Sequence, residues 1–400
     1  MNSLELLPVG RRVAYWRGRR KLSQQVFADR LGKSKSWVDK VERGVRSLDK
    51  VSTLQGIAAV LRIDTTVLLG RDARPAAVTE RVEGVERIGE ALSAYEIALC
   101  RPAARRVLLP ADRLARQVEH AWIMFEHARY PQVIALVPDL LAGAQRVHAD
   151  DPGWGRPLLV EAYRVTASLL VKLGEADLGW LAADRAMATA TGDPLLVAAA
   201  TVQLGQALRA CGRARAAMSA TLAAAYRIAP PDPDEGRAPE LSLCGTLLIQ
   251  AALAAARHGD DHATAELIGE AADMATRVGD GHDHHHTAFG PTAVGLARVA
   301  AALDLGNASD AVAWHEKATE RNAWRWLPAG HRAAHLLDAA RAYLQADDPI
   351  NAGRVLVDAD RTAPAEVRQR PAGREVLAQV ARDPHAPATI IQLAAALGVS

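Results

Sequence analysis

Six short turns divide the last three hundred residues of this 400-residue chain into pairs of apolar segments. A helix pair can bury its apolar face only by stacking on a neighbouring pair, so a recurrence of about forty residues is typical of helical repeat arrays. The alternation of apolar and polar residues that indicates strands is missing. The sequence therefore predicts an all-α chain. The turns are centred on Arg129, Gly174, Gly212, Gly259, Gly306 and Ala346.

Positive charge is concentrated at the N-terminal end of the chain. Residues 1–70 contain 14 Lys and Arg against 6 Asp and Glu, a net charge of +8. The remainder contains 48−14=34 basic and 46−6=40 acidic residues, a net charge of −6. Clustered Lys and Arg attract a phosphate backbone, whereas an acidic body is repelled by it. We therefore expect the N-terminal end alone to bind a polyanion.

The segment LSQQVFADRLGKSKSWVDKVERG, residues 22–44, has the pattern of two short helices joined by a tight turn. Ser23 and Ser34 are suited to cap the two helices, and Gly32 and Gly44 are suited to end them in a left-handed conformation. Apolar residues at three- and four-residue spacing form the inward faces: Phe27, Ala28, Leu31, Val38 and Val41. This arrangement predicts a helix-turn-helix.

With Arg17 upstream and LQGIAAVLRIDTTVLL downstream, this segment resembles the XRE (Cro/C1-type) helix-turn-helix family. It departs from the family at Phe27, where leucine is usual, and at Trp37 in the recognition helix. The resemblance implies a five-helix domain that binds double-stranded DNA. A Gly-, Pro- and charge-rich stretch follows that domain and predicts a linker. The predicted boundaries are 1–70 for the helix-turn-helix domain, 71–80 for the linker and 81–400 for the helical repeats.

The family register implies a role for each polar residue of the N-terminal domain. Gln24 would place its amide against a DNA phosphate, and Arg17 and Glu42 would form a structural pair that ties the first helix to the third. The side chains expected in the major groove are Lys35, Ser36, Trp37 and Lys40. The side chains expected on phosphates are Lys33, Arg43 and Arg46. A corner that only packs or binds protein is the alternative for the motif. For Trp37 the alternatives are that it packs on a neighbouring helix or lies over the backbone.

The helix pairs resemble tetratricopeptide (TPR) repeats with lengthened loops, which implies a right-handed α-solenoid with a concave face. An XRE-type domain followed by TPR-like repeats resembles bacterial one-component regulators. In such proteins the repeats dimerise the chain, and a small molecule or peptide in the groove changes the spacing of two DNA-binding units. This implies a homodimer on an inverted-repeat operator. The alternative is a protein-interaction scaffold or antitoxin-like protein whose DNA binding is autoregulatory.

Aromatic and polar residues on the predicted inner helices are candidates to line the groove and bind the effector. Packing is the alternative for four of them, Trp122, Phe125, His286 and Phe289. A surface ion pair is the alternative for Arg164, whose guanidinium could bind a ligand carboxylate. The candidates are Trp122, Phe125, Tyr163, Arg164, Gln206, His286, Phe289, His331 and His335.

The histidine-rich run GDGHDHHHTAFGP, residues 279–291, has the composition of a metal-binding tract. A metal sensor built on His282–His286 is therefore a third functional hypothesis. Neighbouring residues of an extended run diverge, however, and rarely converge on one ion. We favour a solvated loop between repeats, and we predict no metal ligands.

Signatures of catalysis, cofactor binding and export are missing from the sequence. It contains no G-x-x-x-x-G-K, G-x-G-x-x-G, G-x-S-x-G or H-E-x-x-H motif, so we expect neither an enzyme nor a cofactor. No uncharged stretch of about 18 apolar residues and no signal peptide are found. The sequence predicts a cytoplasmic protein with no membrane partner.

Overall fold

The computed structural model describes residues 7–46, 48, 51–63, 68, 76–94 and 110–399, and within these residues every regular element is a helix. The all-α prediction is confirmed. The chain divides into two compact units between Gly84 and Val85. The first unit contains α1 Val9–Arg19, α2 Gln24–Arg30, α3 Lys35–Glu42 and α4 Val51–Leu61, and α5 Ala76–Leu92 crosses the division. The fifth helix of the predicted domain falls largely outside the described residues, and the linker at 71–80 stays a prediction.

Two serine caps and two glycines define the motif of the first unit. The hydroxyl oxygens of Ser23 and Ser34 each accept a hydrogen bond at 3.2 Å from a backbone N–H in the first turn of α2 and α3. Gly32 and Gly44 then end these helices with φ of +62° and +75°. The inward faces form the core of the unit, where the following residues are at most 1% exposed: Val13, Phe27, Ala28, Val38, Val41, Ile57 and Leu61.

The described part of the second unit, here called the body, contains the end of α5, six helix pairs, three further α-helices and two short 3-10 helices, Pro233–Glu235 and Asn322–Trp326. The pairs are α6 Ala111–Glu126 with α7 Tyr130–Asp150, α8 Pro152–Lys172 with α9 Ala176–Ala190, α10 Pro194–Ala210 with α11 Ala214–Ile228, α12 Ala238–Arg257 with α13 Asp261–Val278, α14 Pro291–Asp304 with α15 Ala308–Thr319, and α16 Ala329–Gln345 with α17 Pro349–Thr362. The chain continues through α18 Pro364–Arg368, α19 Pro371–Ala381 and α20 Ala388–Ala396.

The turn within each pair has the same geometry all six times. One residue takes a positive φ, between +53° and +82°, and these residues are Ala128, Gly174, Gly212, Gly259, Gly306 and Asp347. The backbone N–H of the next residue donates to the carbonyl five positions earlier at 2.8 to 3.0 Å. This is the Schellman arrangement, which satisfies carbonyls at the end of a helix. Four predicted turn centres coincide with these residues, and the other two, Arg129 and Ala346, are one position away.

The first helices of successive pairs contact one another in chain order, and α16 also contacts α6. The body therefore closes on itself. The sequence had instead led us to expect a solenoid with an open concave face. Close approach at the closure depends on small residues. A Cβ on Gly330 of α16 would lie 2.6 Å from the backbone oxygen of Glu126 at the end of α6.

Helix α12 lies in the body core. It is the one described helix that is long and apolar enough to cross a membrane, and 78% of that apolar stretch is buried inside the protein. A Cβ on Gly245 of α12 would lie 2.1 Å from Cζ of Phe289, so the phenyl ring packs directly on the helix backbone. The apolar composition of α12 is therefore explained by its position in the core of the body.

Candidate functional sites

Helix α3 buries one face and exposes a cationic one. Val38 and Val41 are at most 1% exposed, whereas the opposite face carries charged and polar side chains. The exposed residues on α3 and beside it are Lys33, Lys35, Ser36, Lys40, Arg43 and Arg46. Trp37 is half-buried against the core of the first unit, and Lys33 Nζ lies 6.0 Å from the centre of its ring. Arg43 forms an ion pair with Asp39 on the same helix.

Arg17, Glu42 and Gln24 form a hydrogen-bonded network behind this face. Arg17 Nε and an Nη donate to the two oxygens of Glu42 at 2.5 and 3.0 Å, and the hydrogen bond to Glu42 raises the pKa of Arg17. The Gln24 side-chain amide donates to Glu42 Oε2 at 2.8 Å. Glu42 is 6% exposed, so the network ties α1 and α2 to the end of α3. The phosphate contact of Gln24 stays a prediction.

A cavity of about 640 Å³ lies inside the closed body and is lined mainly by the first helix of each pair. Seven of the nine predicted groove residues line it: Trp122, Phe125, Gln206, His286, Phe289, His331 and His335. Burial lowers the pKa of His331 to about 4 and that of His335 to about 3. Both imidazoles are therefore neutral near pH 7.

Tyr163 and Arg164 are not among the residues that line the cavity. Tyr163 is buried, and its hydroxyl accepts a hydrogen bond from the Gln145 amide at 3.0 Å. Arg164 is 0% exposed, so it does not form the surface ion pair that we considered. Its guanidinium donates to Gln203 Oε1 at 2.8 Å and to Glu161 Oε1 at 2.5 Å. The hydrogen bond from Arg164 to Gln203 therefore connects α8 to α10.

The histidine-rich loop is folded inward, and the expectation of a solvated loop is wrong for its second half. The backbone oxygen of His285 accepts a hydrogen bond from buried Arg164 at 2.9 Å. The His286 ring stacks on Trp122 with 4.5 Å between ring centres, and its Nδ1 lies 3.1 Å from Glu126 Oε1. Burial opposes protonation of His286, but the hydrogen bond to Glu126 and the charge of Glu161 raise its pKa.

Three ligand atoms from Glu126, Asp283 and His286 lie within 4.8 Å of one another. His282 and His284 instead stack on each other, with 5.9 Å between ring centres. The metal-sensor hypothesis therefore concerns these three residues rather than the run of histidines. Glu126 and His286 already satisfy each other by a hydrogen bond, so their proximity has an explanation that involves no ion.

The first helices also place charged residues at one end of the cavity, and our candidates missed them. Four of these side chains stand two or three residues before a turn glycine: Lys172, Arg209, Arg257 and Asp304. Their common position before the turn was visible in the sequence. Burial and the charge of Arg257 lower the pKa of Arg209 to about 10, against the attraction of Asp304.

A buried carboxylate links the first two pairs to the C-terminal helices. Glu366 of α18 is 0% exposed. It accepts hydrogen bonds from the Tyr130 hydroxyl, from Lys172 Nζ at 2.8 Å and from Arg370 at 3.2 Å. Burial acts to raise the pKa of Glu366, but the charges of Lys172 and Arg370 prevail and lower it to about 2. The carboxylate is therefore ionised throughout the physiological range.

Comparison with known proteins identifies the first unit. Residues 8–69 match the family model of the helix-turn-helix domain, so the N-terminal unit is a helix-turn-helix domain. No curated protein matches the chain. Among solved structures, the chain is similar to PlcR of Bacillus thuringiensis, determined in complex with the peptide PapR7 and DNA. The two are 13% identical, the alignment covers 78% of this chain and 93% of that chain, and the TM-score is 0.38.

Proposed function

We propose that this protein is a bacterial one-component transcriptional regulator that binds DNA sequence-specifically as a homodimer. The helix-turn-helix domain contacts an inverted-repeat operator, and the TPR-like body dimerises the chain and binds a small molecule or peptide. The protein acts in the cytoplasm, carries out no catalytic step and has no membrane partner. The observation that carries the proposal is the exposed cationic face of α3 within a domain that matches the helix-turn-helix family.

The surfaces of α3 suit a helix that enters the major groove. Lys35 and Ser36 open the helix and Lys40 follows one turn after Ser36, so the three side chains project from its exposed side. Lys side chains donate to guanine acceptors, and such contacts distinguish one base pair from another. Arg43 and Arg46 are exposed just after the end of this helix, where we place phosphate contacts that orient the domain.

Two copies are needed to read an inverted repeat. A helix-turn-helix dimer places its two recognition helices in successive major grooves, about 34 Å apart or a multiple of that distance. We therefore expect the operator to be palindromic, with half-sites one or more helical turns apart.

Substitution of Lys35 and Lys40 tests the proposal. A duplex is first selected from a random pool with the wild-type chain, and its affinity for the double variant Lys35→Ala/Lys40→Ala is measured by fluorescence anisotropy. Each lost base contact costs about 1 to 3 kcal/mol, so we expect a loss of at least about thirtyfold. Lys317→Ala/Arg325→Ala removes two exposed charges from the body and is the matched control.

The control variant is expected to bind as the wild type does. Circular dichroism of the test variant should be unchanged, because Lys35 and Lys40 are exposed and make no core contact. Equal affinity of the test variant and the wild type for the selected duplex would refute the assignment of α3 as the recognition helix.

A further inference from the structure

We infer that the ligand of the body cavity is a small organic anion, with one carboxylate or phosphate bound at Arg209 and an apolar part held between α12 and α14. This inference rests on the proposed function, in which the cavity binds an effector. It adds the chemical class of that effector and the residue that selects it.

Arg209 is a cation whose hydrogen-bonding capacity is not filled. An Nη of Arg209 donates to Gln250 Oε1 at 2.5 Å. The Nε atom is buried and has no hydrogen-bond partner among the residues that the structure describes. A buried N–H without an acceptor is unfavourable, and a charged one is more so. Arg209 lines the cavity, and an anionic oxygen bound there would supply a further acceptor for its guanidinium.

Positively charged groups outnumber negatively charged ones around Arg209, so a further negative group would be favourable there. Arg257 lies beside it and donates to its backbone oxygen at 3.2 Å. The carboxylate that acts on both guanidinium groups is Asp304, which lies 3.9 Å from Arg257 Nε. Two cations thus share one carboxylate. A carboxylate or phosphate matches the planar donor arrangement of a guanidinium.

The other charged groups of the cavity wall already have partners. Lys172 and Arg370 both donate to Glu366, and the carboxylate of Asp338 lies 3.6 Å from Arg341. A cationic ligand would meet carboxylates that are engaged with cations. Among the charged lining residues of the described chain, Arg209 therefore makes the strongest case for a ligand contact.

The apolar part of the ligand has a matching surface. Ile249 and Leu253 of α12 and Leu296 of α14 line the same cavity. Along α14, Leu296 and Asp304 are eight residues apart, which corresponds to about 12 Å of helix axis. A ligand with an anionic end and an apolar chain of roughly this length would span the wall from the charged end to the apolar middle.

Isothermal titration of the full-length chain with four probes that share an eight-carbon chain tests the inference. The probes are octanoate, octyl phosphate, octanol and octylammonium. We expect either anion to bind at least tenfold more tightly than octanol, and octylammonium to bind more weakly than octanol. The ratio of octanoate to octyl phosphate affinity then identifies the preferred anion.

Arg209→Gln tests the residue, with Arg227→Gln on the exposed side of α11 as the matched control. In Arg209→Gln the preference for anions over octanol should fall at least tenfold while octanol still binds, which shows that the cavity is intact. The control should keep the preference. If Arg209→Gln does not fold, Arg257→Gln replaces it, because half of the Arg257 side chain is exposed. A smaller loss of the preference, about threefold, is then expected.

A short peptide separates two sources of the carboxylate. Acetyl-Ala-Leu-Leu is titrated as the free acid and as the amide. Tighter binding of the free acid, lost in Arg209→Gln, would assign the carboxyl end of a peptide. Binding of octanoate without binding of either peptide would assign a small organic acid.

The inference is overturned if octanol or octylammonium binds as tightly as the tighter-binding of the two anions, or if the anion preference survives in Arg209→Gln. None of these titrations contains DNA. Binding of octanoate by a chain that fails to bind any duplex would refute the proposed regulator and leave this inference standing, so the two failures are distinguishable.

Discussion

Glu366→Gln should destabilise the body more than any exposed substitution, because it removes a fully buried negative charge that two cations contact. Lys172 and Arg370 donate to this carboxylate from the second helix pair and from the residue before α19. The Tyr130 hydroxyl donates to it from α7. With glutamine in its place, two partly buried cations lose the carboxylate that both of them contact, and the more distant charge of Asp338 is the negative group that still acts on both. The substitution therefore acts on the contacts that join the two ends of the body.

The size of the effect follows from burial and from the pKa. Removing one partner of a buried ion pair costs about 3 to 5 kcal/mol. Independently, the pKa of Glu366 is lowered from 4.5 to about 2, and each pKa unit corresponds to about 1.4 kcal/mol. The ionised carboxylate thus contributes about 3 kcal/mol of stability above pH 5. Since the pKa is lowered in the folded state, that contribution is lost as the pH falls from about 4.5 towards 2.

Thermal unfolding monitored by circular dichroism measures the effect. At about 2 °C per kcal/mol for a unit of this size, we expect the melting temperature of Glu366→Gln at pH 7 to fall by about 6 to 10 °C. The difference from the wild type should shrink below pH 4. Glu375→Gln, at an exposed position of α19, is the matched control and should melt as the wild type does. Equal melting temperatures for both variants at pH 7 would show that Glu366 does not hold the body closed.

Three further predictions concern packing, capping and metal binding. Gly245→Ala places a Cβ 2.1 Å from Phe289 and should cost about 1 to 3 kcal/mol in thermal unfolding; Gly269→Ala, which meets nothing within 4 Å, is the control, and equal melting of the two would contradict the packing. Ser34→Ala removes the cap of α3 and should lower the unfolding free energy of the first unit by about 1 kcal/mol in urea; an unchanged midpoint would count against it. Zinc added after chelation should leave the melting temperature of the body unchanged, and a rise that Glu126→Gln abolishes would restore the metal-sensor hypothesis.

The helix pairs and their turns could be predicted because their signals are local. A glycine that ends a helix in the left-handed conformation identifies the turn without knowledge of its neighbours. At two turns a residue other than glycine takes the left-handed conformation, namely Ala128 and Asp347. There the predicted turn centre was one residue off. The same locality explains the capping serines of α2 and α3, because a cap acts within one helical turn.

The closure of the body and the role of Arg164 could not be predicted from such signals. Tyr130 and Glu366 are separated by 236 positions in the chain, and helical periodicity indicates which face is buried but not what it packs against. Arg164 follows Tyr163 on a buried helix, where a rotation of about 100° per residue sends adjacent side chains to different neighbours. Its partner Gln203 lies on the next first helix, so only the packed structure identifies it.

Some residues that line the cavity also form the contacts that hold the body together. A ligand in the cavity would therefore act on those contacts. Lys172 lines the cavity and also donates to Glu366. Trp122 lines it and donates to Glu161 at 2.9 Å. A ligand that binds only the closed body stabilises it by about 2.7 kcal/mol at one hundred times its dissociation constant. That energy is close to the contribution of about 3 kcal/mol calculated for Glu366. In the proposed regulator, an effector at that concentration would therefore stabilise the folded body about as strongly as its buried carboxylate does.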